Sequence, residues 1–204
     1  MSTRDELTGR GERSRDAILD AAEALMAERG FAGTPISAIC KATGLPPSSV
    51  YWHFGSKDGV LAAVIERAGT RYLADLGNPD ISGVTPAERL AKLLGALARF
   101  ATMAGPTVRF LLTLGLQESN SANAQAMAAV RRVRGRIYAW VGAGLADIFP
   151  AAGTTLIDEL TWLVVAATNG SQVATWAGDE LNIELPIGHL TTAVTAIVRA
   201  AASS

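Results

Sequence analysis

The sequence predicts an all-α fold, and three observations carry that expectation. Apolar residues recur at helical spacing almost throughout the chain. Strand-like alternation is scarce. Proline or glycine marks nearly every junction between periodic segments.

The elements follow in order. Residues 1–12 are polar and glycine-containing, which predicts a mobile arm. A first helix runs from about Arg13 to Arg29, with Ile18, Ala21, Ala22, Leu25 and Met26 as its apolar stripe and Gly30 as its stop. Thr34-Pro35 reads as an N-cap followed by proline at the first helical position. The short helix Pro35 to Thr43 places Ile36, Ile39, Cys40 and Thr43 on one face, and Gly44 ends it. Leu45-Pro46-Pro47 is a turn, because proline disfavours helix in the residue before it. A second short helix covers Pro47 to Phe54. Ser56 caps a longer one, striped by Val60, Leu61, Val64, Ile65 and Ala68, that ends near Gly77-Asn78-Pro79. Five more helices are expected: Pro86 to Met103, Pro106 to Ser119, Ala122 to Ile148, Thr155 to Ala177 and Pro186 to Ala202.

Composition bounds the function. The 204 residues are 49% hydrophobic and 18% charged, enough apolar surface for an ordered core. Lys plus Arg is 18 against 19 Asp plus Glu, a net charge of -1, so a globally basic coat for nucleic acid is excluded and any basic footprint is local. With Cys40 alone, no intramolecular disulfide forms, which fits a reducing compartment. The opening MSTRDELTGRGERSRD lacks the apolar core of a secretory signal, and a cytoplasmic location is expected. Leu160 to Gly178 is free of charge, but it carries Thr161, Thr168, Asn169, Ser171, Gln172 and Thr175. That is too polar for a lone membrane span, and a helix buried in protein is expected.

The chemistry concentrates in one segment. Two short helices joined through Gly44-Leu45-Pro46 form a helix-turn-helix pattern. Arg29 to Lys57 contains Arg29, Lys41 and Lys57 and no acid, so no carboxylate repels phosphate there. At about 100° per residue, Val50 and Phe54 point to the core. Ser48, Ser49 and Trp52 then point outward, with Tyr51 and His53 on the flanks. This arrangement suits a helix in a major groove, with small side chains toward the bases and longer donors toward the phosphate walls. Taken singly, Tyr51 and Trp52 read as packing residues, His53 as a surface histidine and Lys57 as a solvated lysine. Cys40 has no second metal ligand near it, and no metal or cofactor is expected.

The stretch GFAGTPISAICKATGLPPSSVYWHFGSKDGVL, with ILDAAEALMAERGF leading into it, resembles the DNA-binding segment of the TetR family of bacterial transcriptional regulators. The likeness covers about Arg13 to Ala68, and YWHFGSK is its most specific part. It implies a homodimeric, all-helical regulator. By position it places Thr34, Tyr51, His53 and Lys57 on phosphates, and Ser37, Ser48, Ser49 and Trp52 toward the bases. There are two departures. Pro46-Pro47 stands where the family often has a serine cap and a polar residue, which removes two backbone donors and a capping side chain. Ser37 stands where the family often carries arginine, and serine makes a weaker, less selective base contact.

Residues 76–204 hold nine basic and nine acidic residues, so nothing there favours a polyanion. In the last helix Ile187, Leu190, Val194, Ile197 and Val198 form a stripe. The remainder, Gly188, His189, Thr192, Ala193, Thr195 and Ala196, is small and nearly uncharged. A helix without a charged face is usually covered all round. That points to a subunit interface built from the last two helices, with a monomer core as the alternative. The TetR resemblance implies the same four-helix dimer interface. Candidates for a small apolar ligand are Phe100, Met103, Phe110, Trp140 and Trp162, with Asn169 and Gln172 as polar anchors. The run from Arg131 to Arg136 spreads its four arginines round a helix instead of converging.

No nucleophile elbow, phosphate loop or zinc-protease motif occurs, so an enzyme is not expected. The sequence thus divides into an arm (1–12), a helix-turn-helix DNA-binding domain (13–58) and a helical ligand-binding and dimerisation domain (59–204). The expected protein is a transcriptional regulator, a repressor released from a pseudo-palindromic double-stranded DNA operator by a small apolar effector. The alternative is a helical small-molecule-binding or scaffolding protein that does not bind DNA. No membrane partner is expected.

Overall fold

In the computed structural model, residues 3–78, 81–103, 124–177 and 186–203 are described. Among them there are eight helices and no strand: α1 (Thr3–Arg29), α2 (Ile36–Thr43), α3 (Pro47–Phe54), α4 (Lys57–Leu76), α5 (Pro86–Met103), α6 (Ala124–Ile148), α7 (Thr154–Ala177) and α8 (Ile187–Ala202). The helix expected at Pro106 to Ser119 lies outside the described residues. The arm expected over residues 1–12 is corrected, because the chain is helical from Thr3. Gly9 and Gly11 each cost only about 1 kcal/mol against alanine in a helix. Arg13 Nε also donates to the Gly9 carbonyl at 3.0 Å across one turn.

The chain divides into two compact units, one of residues 1–69 and 114–133, the other of 70–113 and 134–204. The division falls inside α4, at Gly69, and not at the start of that helix.

In the first unit α1, α2 and α3 pack on one another. Ile18, Leu19, Ala22 and Met26 of α1 are buried, as are Ile39, Val50 and the α4 residues Val60, Leu61, Val64 and Ile65. Leu19 takes an interior place that the expected stripe gave to Ala21 and Leu25, both only half-buried. Arg67 of α4 reaches α1 twice, at 2.7 Å from Asp20 and 2.6 Å from Glu23. Further along, α4 meets α6 so closely that a Cβ on Gly69 would lie 2.4 Å from a Val133 methyl.

The second unit is built round Leu90, Leu93, Leu94 and Leu97 of α5, Val141, Leu145 and Ile148 of α6, Leu160, Val164 and Val165 of α7, and Val194 of α8. Its first helix opens on a capping box. Thr85 Oγ1 accepts from the Glu88 N–H at 3.2 Å, and the Glu88 carboxylate accepts from the Thr85 N–H at 3.4 Å and the Val84 N–H at 2.9 Å. Pro86 fills the first helical position, where its missing N–H costs nothing. Gly144 lets α6 approach α5, since a Cβ there would sit 2.9 Å from Leu93 Cδ1. None of the described helices is long and apolar enough to cross a membrane.

Candidate nucleic-acid interface

The turn between α2 and α3 is fixed by its sequence. Gly44 takes the left-handed conformation (φ 69°) and its N–H bonds to the Cys40 carbonyl. Thr43 Oγ1 donates to the Ile39 carbonyl at 2.9 Å and accepts the Leu45 N–H at 3.3 Å, so one hydroxyl ties the helix end to the loop. Pro46 is the N-cap residue of α3 and offers no side-chain cap. Pro35 likewise occupies the N-cap of α2, one residue later than the expected Thr34.

On α3, Val50 is fully buried, while Trp52 is 78% exposed and Tyr51 52%. Ser48 is exposed, Ser49 half-buried, and Ser37 of α2 exposed. Phe54, expected in the core, is half-buried, with the Arg15 guanidinium 5.6 Å from its ring centroid. The outer face therefore carries two aromatics and small hydroxyls, backed by one aliphatic anchor.

His53 lies between this face and α1. Its Nε2 is 3.3 Å from Ser14 Oγ, and Trp52 meets its ring edge-on at 4.5 Å. Burial, then the neighbouring Arg15 charge, holds its pKa below the ordinary histidine value. Lys57 folds back, its Nζ 4.3 Å above the Phe31 ring and 3.5 Å from the Ala32 carbonyl, and burial lowers its pKa.

Thr34 departs from the phosphate-binding expectation. It is fully buried and its hydroxyl donates to the Gly30 carbonyl at 2.8 Å, so it secures the α1–α2 turn from within. Ser37, Ser48, Ser49, Tyr51, Trp52, His53 and Lys57 all lie in the first unit, the DNA-binding head of the sequence reading, where Thr34 is buried. Sequence reasoning missed Thr43, Phe31 under Lys57, and Asp58. Only Thr43, a hydroxyl residue ahead of a glycine stop, left a readable signal.

Of the seven candidate ligand side chains, the described ones are Trp140, Trp162, Asn169 and Gln172. Trp140 is half-buried and its Nε1 donates to the Gly77 carbonyl at 2.7 Å. Trp162, expected to line a pocket, is 62% exposed on α7, and that exposure removes it from any enclosed pocket of the single chain. Asn169 and Gln172 are half-buried. The side chains of Phe100 and Met103, and all of Phe110, lie outside the described residues. An open cleft of about 490 Å³ instead runs between α7 and α8, lined by Ala167, Gly170, Ala174, His189, Leu190 and Ala193 among others. It holds none of the expected residues, because alanine and glycine linings leave no mark in a sequence. The arginines of α6 diverge as expected: Arg132 pairs with Glu66 at 2.5 Å, Arg136 donates to Thr70 at 3.2 Å, and Arg131 and Arg134 are exposed.

An acid-free helix-turn-helix whose second helix buries one aliphatic residue and bares an aromatic, hydroxyl-bearing face defines a DNA-binding transcriptional regulator. Comparison with known proteins agrees. The family described as "Bacterial regulatory proteins, tetR family" matches residues 18–64. The HTH-type transcriptional regulator UidR of Escherichia coli is 25% identical over 199 residues, covering 93% of this chain and 98% of UidR. The HTH-type transcriptional repressor Rv3405c of Mycobacterium tuberculosis is 44% identical over 64 residues, 31% of this chain and 34% of that protein. Among solved structures, Salmonella enterica GusR superposes with a TM-score of 0.65 at 24% identity, covering 92% of this chain and 96% of GusR. A TetR-family regulator from Streptomyces coelicolor does so at 0.63 and 20% identity, covering 93% and 83%; both likenesses are of fold. Residues 18–64 are thus similar to the DNA-binding segment of TetR-family regulators, and the relative UidR, matched over nearly its whole length, is a transcriptional regulator.

Proposed function

We propose that this regulator is a repressor, released from a pseudo-palindromic operator when a small apolar effector binds helices beyond the head. DNA recognition is assigned to residues 13–58, with Ser37, Ser48, Ser49 and Trp52 toward the bases and Tyr51, His53 and Lys57 toward phosphates. Residues 59–204 hold the effector and pair the chains. The observation that carries the reading is the outer face of α3, where Trp52 stands exposed beside Ser48 while Val50 is fully buried. A large exposed aromatic is costly unless it meets a partner, and base edges and sugars supply one.

Pairing through the last two helices is supported by what α8 leaves open. Ile187, Leu190, Val194 and Val198 face the core of the second unit. Gly188, His189, Thr192, Ala193, Ala196 and Ile197 are exposed and carry no fixed charge. Trp162 and Val173 are exposed on α7, and Trp162 is reassigned from the pocket to this interface. To read a pseudo-palindromic site, such a dimer must hold its two α3 helices about 34–36 Å apart, one turn of duplex. Phe100, Met103, Phe110, Trp140, Asn169 and Gln172 remain the proposed effector contacts. The effector must bind one head spacing better than the other, since a ligand with equal affinity for both shifts nothing.

The test is a gel shift with duplex from upstream of the protein's own gene. Retardation by a dimer, reversed by an apolar effector, is the expected result. Absence of retardation at low salt contradicts the reading.

A further inference from the structure

The start of α4 does more than cap itself. Ser56 Oγ accepts the Gly59 N–H at 2.9 Å, an ordinary N-cap. The same hydroxyl donates to Oε1 of Gln125 at 3.5 Å, on a helix 69 residues away in sequence. Asp58 Oδ2 accepts the backbone N–H of Gln125 at 2.9 Å. That N–H is one of the first four of α6, which have no partner inside their own helix. Asp58 therefore caps α6 from the first turn of α4, and both helix N-termini favour its negative charge. Its other oxygen, Oδ1, is buried without a hydrogen-bond partner. That carboxylate accepts a desolvation cost to stand there.

Gly59 shows how tight the junction is. A Cβ on it would lie 1.9 Å from the carbonyl oxygen of Phe54, the last residue of α3, and 3.1 Å from Gln125 Oε1. The end of α3, the first turn of α4 and the first turn of α6 thus meet at one point.

We propose that Asp58 is a positioning residue: with Ser56 it clasps Gln125 and so sets the angle of the recognition helix α3 against α6. This rests on the reading of α3 as the DNA-facing helix. α6 runs unbroken from Ala124 to Ile148, so its first turn belongs to a long helix against which α3 can be held. The clasp touches no DNA. It acts on discrimination between sequences, which needs the helix at one angle, and not on the charge that attracts phosphate.

The experiment uses the full-length chain and a duplex enriched by it from a random library. Asp58→Ala, Gln125→Pro and the double variant are measured against that duplex and against random-sequence DNA. Proline is tolerated in a first helical turn and removes the one donor at issue. The expected result is a loss of about 5- to 10-fold in affinity for the selected duplex in each single variant, the size of one lost cap. Affinity for random DNA and the salt slope stay unchanged, and the double variant is no worse than the singles. Amides 125–127 exchange faster in Asp58→Ala. Equal losses on both DNAs mark plain destabilisation and overturn the clasp, as do additive losses or undiminished discrimination. If the wild-type chain enriches no duplex, the DNA reading beneath the proposal fails instead.

Discussion

Lys57 and His53 are each held by the head in a form that DNA would change. The Lys57 ammonium rests over Phe31 and is partly desolvated, so reaching a phosphate exchanges a cation–π contact for an ion pair. Lys57→Ala should weaken binding to all sequences and flatten the slope of log K against log salt by about one unit. An unchanged slope, measured by fluorescence titration from low to moderate salt, removes Lys57 from the phosphate contacts. His53 gives a pH dependence with two opposite signs. In the free head its pKa lies below the ordinary 6.5, so the neutral ring is favoured. Its contribution to stability is complete above 6.5 and is lost as pH falls through the lowered value. On DNA, phosphates favour the charged ring, so affinity should rise as pH drops from 7.5 toward 5.5. His53→Gln should remove most of that rise. A pH profile identical to wild type would contradict the assignment. Of these residues, YWHFGSK was legible in the chain, but Phe31 under Lys57 was not. Its partner lies 26 positions away, and no local pattern links the two.

At the level of helices, glycine decides how closely two rods approach. The Gly69 backbone meets the Val133 side chain where a Cβ would intrude. Gly69→Ala should therefore lower stability by about 1–3 kcal/mol through overpacking, although alanine is the better helix former. Thermal unfolding reads the sign, and a stabilised variant would refute this packing. Arg67 joins α4 to α1 through Asp20 and Glu23 with its own side chain only 15% exposed. Breaking charged hydrogen bonds of that kind costs about 1.5–3 kcal/mol, which is the expected loss for Arg67→Ala. Helix positions were readable because their signals are local: Gly30, Gly44, Gly55 and the Ser56 cap all sit where periodicity and turn chemistry put them. Polar composition does not mark the arm as mobile, because polar residues without proline continue a helix at small cost. The burial of Thr34 was missed because a cap and a buried back-bond share one residue type.

For the whole molecule, the proposed pairing of two chains rests on the exposed residues of α7 and α8. Trp162→Glu should convert a dimer to a monomer in sedimentation equilibrium, with secondary structure retained. An unaffected dimer would move the interface elsewhere. The acid-free stretch lies wholly in the first unit. The proposed effector contacts have no distinct mark in the sequence, because an aromatic at helical spacing serves a core, an interface or a ligand equally well. Trp140 and Trp162 illustrate this: the first bonds the Gly77 carbonyl and the second faces outward. The central claim is that the outer face of α3 meets DNA, and Ser48→Glu tests it most directly. Ser48 is exposed, so the fold tolerates a carboxylate there, while a groove lined by phosphates repels it. With unfolding temperature unchanged, affinity for a selected duplex should fall ~100-fold. Wild-type affinity in a folded Ser48→Glu chain would contradict the account.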